Sequence, residues 1–533
     1  MRITSTYCCA FILAPALMFV TILAVTPSFP VQACPPESTA EPAPKNRIDD
    51  LVFAHLRQLS IQPASLSSDA VFLRRVYLDV IGTLPSAQEA QSFLADQSPD
   101  KRSRLIEYLL GRDEFGDYWS MKWCDILRVK SEFPIKLWPN AVQAYYHWIR
   151  ASVRDNMPYD QFARELLTES GSNFRVPPVN FYRAVQSREP RTIAAAAALT
   201  FMGTRTDAWP KDRLTNLAAF FSQVGYKQTQ EWKEEIVYFD SGKAFAGPVV
   251  GASRMVVFPD GTTTKLSPDQ DPREAFAQWL TTPNNPWFAR AIVNRVWSWL
   301  LGRGIVHEPD DIRPDNPPVN SELLAFLEKE FIKSRFDLKQ FYRLILNSAT
   351  YQLSSGAGLP ESEANFAHYR LRMLDAEVLI DAINQITGAS EPYSSAIPEP
   401  FTFTPPNQRA IALADGSITS VFLETFGRPK RDTGLESERN TQPTASAALA
   451  LLNSSQIQRK FDQSIKLQAL IQARVDIRQA ITNLYLTILS RFPTEEELRV
   501  ASSYAQKAGG TRRVSGMDLA WALVNSEEFL CGH

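Results

Sequence analysis

Apolar side chains recur at three- and four-residue intervals along most of this 533-residue sequence, and that spacing confines the chain to a mainly α fold. Between Ala70 and Ile81, the side chains of Phe72, Leu73, Val76, Val80 and Ile81 fall on one helical stripe, and Gly82 supplies the stop. Ser86-Ala-Gln-Glu89 and Thr494-Glu-Glu-Glu497 each set a hydroxyl three residues before a carboxylate, the capping box that opens a helix. Ser98-Pro99 reads as an N-cap followed by proline at the first helical position. The same periodicity predicts helices over 46–60, 119–128, 141–154, 159–169, 192–201, 285–301, 321–333 and 338–347, and then over 375–387, 444–459, 477–490 and 517–525. Only 22 glycines are present, which fits helices and leaves little material for phosphate-cradling loops.

The period changes between Glu235 and Leu266. Ile236-Val-Tyr-Phe239 and Met255-Val-Val-Phe258 read as strands, and Pro259-Asp-Gly261 turns the second into Thr262–Leu266 as a hairpin. The expected architecture is therefore two helical lobes, 46–230 and 271–533, with a small antiparallel β hairpin element in the linking region 231–270.

Residues 1–33 read as a signal peptide. Arg2 is the one basic residue before Lys45, an apolar stretch runs from Cys8 to Val25, and Val31-Gln-Ala33 sets small residues at −3 and −1. Cys34 follows at once, and Val-Gln-Ala-Cys resembles a bacterial lipobox, which makes Cys34 the candidate for lipidation. The Pro-rich segment 34–45 then serves as a tether. These features predict an exported protein in the periplasm or cell envelope, held there by lipid if Cys34 is modified. Cleavage after Ala33 leaves Cys34, Cys124 and Cys531, too few for a disulfide framework.

Composition excludes several functions. With Lys+Arg 56 against Asp+Glu 58, the chain has no basic excess to neutralise phosphates, so nucleic acid is not expected as a partner. Gly-x-Ser-x-Gly, Walker, His-Glu-x-x-His and Cys-x-x-Cys motifs are all absent, and five His leave few bases that titrate near neutrality. No catalytic residue and no cofactor-binding residue is assigned on this basis.

Several strings carry a resemblance. Phe72-Leu-Arg-Arg-Val-Tyr-Leu-Asp-Val-Ile-Gly-Thr-Leu-Pro85, Tyr118-Trp-Ser-Met-Lys-Trp-Cys-Asp-Ile-Leu-Arg128 and Asn156-Met-Pro-Tyr-Asp-Gln-Phe162 resemble the planctomycete-type cytochrome-associated domain of unknown function. Asn294-Arg-Val-Trp297, Gly302-Arg-Gly-Ile305, Pro309-Asp-Asp311, Asn316-Pro-Pro318, Asp337-Leu-Lys339, Asn347–Tyr351, Phe426-Gly-Arg-Pro429 and Trp521–Ser526 resemble the planctomycete-specific C-terminal domain. The resemblance implies an exported, largely helical protein, from a family often fused to haem or sugar-binding modules and commonly encoded beside sulfatase-like exported proteins. Many relatives carry Cys-x-x-Cys-His before an Ala-Ala-Phe-Phe segment. Here Phe201–Arg213 leads to Ala218-Ala-Phe-Phe221 with neither Cys nor His, so the two thiols and axial imidazole of covalent haem are missing, and no cofactor is expected.

Other clusters admit a sharp and a plain reading. Asp310, Asp311 and Asp315, with Glu308 and His307 beside them, offer hard oxygen ligands to a cation. An Arg-paired turn is the plainer reading, with Arg303 and Arg313 at hand. Tyr145, Tyr146, His147, Trp148, Trp119 and Trp123 would stack on sugars if exposed, but their helical spacing points to core packing. Asp79 with Arg75, and Asp125 with Arg128, are spaced as helix ion pairs. The leading expectation is a non-catalytic envelope protein that binds or assembles with an exported partner, a sulfatase-like neighbour being the candidate. The alternative is an exported enzyme or accessory protein in complex-polysaccharide breakdown. A third expectation is non-covalent haem held by His147 or His307.

Overall fold

The computed structural model describes residues 42–250, 253–356, 360–507 and 512–532. The signal peptide, Cys34 and most of the tether lie outside the described residues. Local rules place most helices. The Asn46 side chain accepts from the Ile48 amide while Asp49 reaches back to the cap, so the first helix spans Arg47–Gln58. Ser68 caps Asp69–Ile81, and Gly82 ends it in the left-handed conformation at φ 58°. Ser86 and Glu89 form the expected reciprocal box at the start of Ala87–Ala95. Thr494 and Glu497 do the same before Glu495–Lys507.

Several helix boundaries differ from expectation: the helices expected from 119 and 517 begin earlier, at Asp113 and Arg512, that expected from 285 begins at Phe288, and two further differences have a local cause. Ser98 does not cap, because its amide and hydroxyl both donate to the Asp96 carboxylate in a local turn, and the helix begins later, at Lys101–Leu110. The single helix expected over 444–459 is two, Ala445–Asn453 and Ser455–Asp462. Ser454 ends one and caps the next, its extended backbone turning the chain between them.

The fold is mainly α with small antiparallel sheets. Ser253–Val257 and Thr263–Leu266 form the expected hairpin, flanked by Val249–Val250. Glu235–Phe239 belongs to a different sheet, between Val224–Gln228 and Gly171–Ser172. Arg372–Met373 pairs with Cys531–Gly532. No helix among the described residues is long and apolar enough to cross a membrane.

One core of buried side chains runs from Ile48 to Phe529. Trp119 and Trp123 are its centre, with Trp119 4.4 Å from the Tyr342 ring and Trp123 5.2 Å from that of Phe162. Burial of this kind contributes roughly 2–3 kcal/mol per large side chain. Tyr145 and Tyr146 are buried too, Trp148 packs flat on Phe162 at 4.9 Å, and His147 is exposed on the helix Pro139–Arg154.

Polar groups lock distant segments together across this core. The Asp49 carboxylate accepts from the Ala349 amide and from the Thr350 amide and hydroxyl. Arg74 is fully buried and donates to the Ile488 and Phe529 carbonyls, each at 2.9 Å. With carbonyls rather than carboxylates as its hydrogen-bond acceptors, burial pushes its guanidinium down to about 10.

Candidate functional site: a charged cavity

A cavity of about 450 Å³ opens where six segments meet. Lys122 and Tyr118 come from the helix Asp113–Ile126, and Trp299 and Ser298 from the helix Phe288–Leu301. Gly302, Arg303, His307 and Glu308 follow that second helix; Arg370–Asp375 form another wall and Glu436–Pro443 a further one, with Leu78, Asp79, Glu527 and Cys531 completing the lining. Gly302 is required here: its φ is +78°, and an added Cβ would sit 3.3 Å from the Arg370 side chain.

Behind the wall lies a network of buried charges. Arg439 bonds Asp125 and Glu377 at 2.7 Å each and stands 3.3 Å from Asp375. Arg431 meets Asp125 at 2.8 Å, Arg428 meets Glu377 at 3.3 Å, and Lys122 meets Asp375 at 2.8 Å. Asp79 accepts from the Tyr351 and Tyr369 hydroxyls at 2.9 and 2.8 Å and from Arg372 at 3.0 Å. Such groups stay charged inside a protein only when every partner is in place.

Two carboxyls on this cavity are pushed in opposite directions. Burial alone would raise Asp375, but the Lys122 ammonium and the Arg439 guanidinium outweigh it and hold the group below the usual carboxylate range. Burial raises Glu436, with Asp310 adding to the effect and Lys122 opposing it.

The acidic loop is divided between interior and surface. Asp310 is fully buried, 2.7 Å from Arg295, and its other oxygen accepts from the Glu436 amide at 2.5 Å. Asp311 and Asp315 both reach the exposed Arg313 at 3.1 Å. Glu308 lies 3.3 Å from Arg205. His307 is exposed and lines the cavity, its imidazole pKa lowered by burial of the ring and by Arg303. The structure thus places His307 and Glu308 on the cavity, with Asp310 behind it. Among the described residues, no group of three or more His, Cys, Asp or Glu is arranged to hold a metal.

The two helix ion pairs take other partners. Asp125 faces Arg431 and Arg439, whereas Arg128, beyond the helix end at φ 56°, donates to the Ala184 carbonyl. Arg75 turns to the Tyr351 and Leu353 carbonyls and lies 3.8 Å from the Tyr369 ring centre. Cys124 is buried, outside any disulfide, its thiol pushed up to about 12 by burial. One cluster of aromatic rings at the surface lies elsewhere: Trp138, Trp232 and Phe401, from three separate segments, lie 4.7–5.6 Å apart.

Sequence reasoning did not assemble Lys122, Asp375, Glu377, Arg428, Arg431, Glu436 and Arg439. A signal was available. Asp79, Asp125, Glu377 and Asp381 each stand between two apolar residues in a helical stretch, and an acid in that setting demands a partner from elsewhere.

Residues 47–209 match the family model described as PSCyt2, protein of unknown function (DUF1549), and residues 272–505 match that described as PSD1, protein of unknown function (DUF1553). No curated protein and no solved structure matches the chain. The two matched stretches contain most of the charged cavity wall, including Asp79, Lys122, Arg303, Asp375 and Arg439. The chain therefore belongs to the planctomycete-type paired-domain family of unknown function, with PSCyt2 in its N-terminal region and PSD1 in its C-terminal region.

Proposed function

We propose that the protein is an exported, non-catalytic binding protein of the cell envelope that holds a polar ligand in the charged cavity and works with an exported partner. The observation that carries this reading is the rigidity of a cavity whose Lys122, Arg372 and Arg439 side chains are each fixed by a carboxylate. Its volume of about 450 Å³ falls in the range of ligand pockets, roughly 300–1,000 Å³. Preorganised walls favour binding because little side-chain freedom is lost when the ligand arrives. A saccharide with many hydroxyls suits such donors and acceptors, and a sulfatase-like exported neighbour is the partner this reading names.

One observation favours a second reading, an exported enzyme or accessory protein in polysaccharide breakdown. Asp375 and Glu436 line the same cavity with opposed proton affinities, the condition for pairing a general acid with a base or nucleophile.

Native mass spectrometry of the mature protein with defined neutral and acidic oligosaccharides separates the two. A one-to-one adduct, abolished by the cavity-filling substitution Ser298→Trp and releasing unchanged sugar, supports the binding reading. New reducing ends or released sulfate would favour the enzyme. Absence of any adduct across the panel overturns both.

A further inference from the structure

We propose that the Arg303 side of this cavity is an oxyanion subsite, taking a sulfate, phosphate or carboxylate group carried by the ligand. This inference rests on the cavity being a ligand site and adds the chemical class of one group that it receives.

The argument is one of charge balance. Each other Lys or Arg lining the cavity has a carboxylate partner: Lys122 has Asp375 at 2.8 Å, Arg370 has Glu363 at 2.6 Å, Arg372 has Asp79 at 3.0 Å, and Arg439 has three, Asp375 among them. Arg303 forms no ion pair among the described residues, and its Nε is buried without a hydrogen-bond partner. The carboxylates nearby are engaged or turned elsewhere. Glu363 is held by Arg370, Glu308 lies against Arg205, and Glu527 is exposed near Cys531. Glu436 is itself pushed toward its neutral form.

An unanswered guanidinium in a partly desolvated wall is costly, and a ligand oxyanion removes that cost. The planar fork of arginine matches two oxygens of a sulfate, phosphate or carboxylate and binds them bidentately. Burial and the like charge of Arg370 disfavour the Arg303 cation and outweigh the opposing effect of Glu363, so the site gains more from an anion than a solvated arginine would. His307 shares these surroundings: burial of the ring, then Arg303 and Arg370, lower its proton affinity, while Glu308 raises it. An anion seated at Arg303 offsets the Arg303 contribution, leaving that of burial, and so favours proton uptake by His307.

The test is titration of the mature full-length protein with sodium sulfate and with inorganic phosphate at constant ionic strength, sodium chloride being the control. Isothermal calorimetry reads affinity, and NMR of the histidine rings reads protonation, with His307→Gln identifying the resonance. The expected result is saturable binding of sulfate or phosphate, an upward shift of the His307 pKa on binding, and affinity about tenfold or more weaker in Arg303→Gln. Arg303→Lys should fall between the two, since it keeps charge and loses the fork. Binding no better than chloride, or unchanged affinity in a folded Arg303→Gln, overturns the subsite. If a neutral oligosaccharide still binds and Ser298→Trp abolishes it, the cavity reading stands while the subsite falls.

Discussion

Asp125 and Arg439 stand 314 residues apart in the sequence and 2.7 Å apart in the fold. One residue comes from the N-terminal matched domain and the other from the C-terminal one, and the pair is almost wholly withdrawn from water. Arg439 also serves Glu377 and Asp375, so three acids depend on one guanidinium. Replacing it by an apolar side chain of similar length leaves Glu377 buried with Arg428 as its remaining ion-pair partner. Arg439→Met is expected to cost about 3–5 kcal/mol, and adding Glu377→Gln should recover part of the loss. Urea denaturation of the single and double variants checks this; a loss below about 1 kcal/mol would contradict the buried network.

Asp310 offers a parallel case in the acidic loop. Its carboxylate and the Arg295 guanidinium are 0–1% exposed, so the pair is sealed from solvent. Asp310→Asn is expected to lose about 3 kcal/mol or more by leaving a buried cation unanswered. Melting temperatures with added calcium and with a chelator should coincide in both proteins. A calcium-dependent rise that the substitution removes would show that the loop binds the ion instead.

Asp381 predicts a pH dependence of defined sign. It lies in the helix Ala376–Thr387, accepts from the Ala410 and Ile411 amides, and is raised by burial from 3.8 to about 6, with Arg409 opposing the rise. Because the folded value exceeds the unfolded one, its stabilising contribution is fully present below pH 3.8 and is lost as pH rises through about 6. Across that window the loss amounts to about 3 kcal/mol at most. Unfolding free energies of wild type and Asp381→Asn between pH 4 and 7 should differ in slope, with the variant flatter. Parallel slopes would show that the carboxyl titrates alike in both states.

The proposed export gives a prediction at Cys34. Protein isolated from its native envelope should begin at residue 34, and with labelled fatty acid it should incorporate lipid that Cys34→Ala abolishes. A mature chain that begins at residue 34 without lipid would keep export and remove the anchor. A chain retaining residues 1–33 would contradict both.

The local features were legible because they are decided within a few residues. Asn46, Ser86, Thr494 and Gly82 all act where their spacing places them. Ser98 misled because Asp96, two residues away, competes for its donors. The strand Val224–Gln228 gave no alternating signal, since burial runs from Val224 and Gly225 at one end to exposed Lys227 and Gln228 at the other. The cavity was legible only by halves. Asp79 and Asp125 are visible as acids set between apolar residues, but their partners lie 272 to 314 residues away, and no local pattern specifies such a pairing.

Arg74 adds a constraint of time. Its two carbonyl acceptors follow it by 414 and 455 residues, so its native surroundings do not exist until Phe529 has been synthesised. At ordinary elongation rates of about 5–20 residues per second, that interval is roughly 20–90 s. Through that interval the helix Asp69–Ile81 carries a cation that it can bury only at a penalty. Its apolar stripe must remain solvated or be shielded by another molecule, and stepwise folding from the N-terminus cannot shorten the wait.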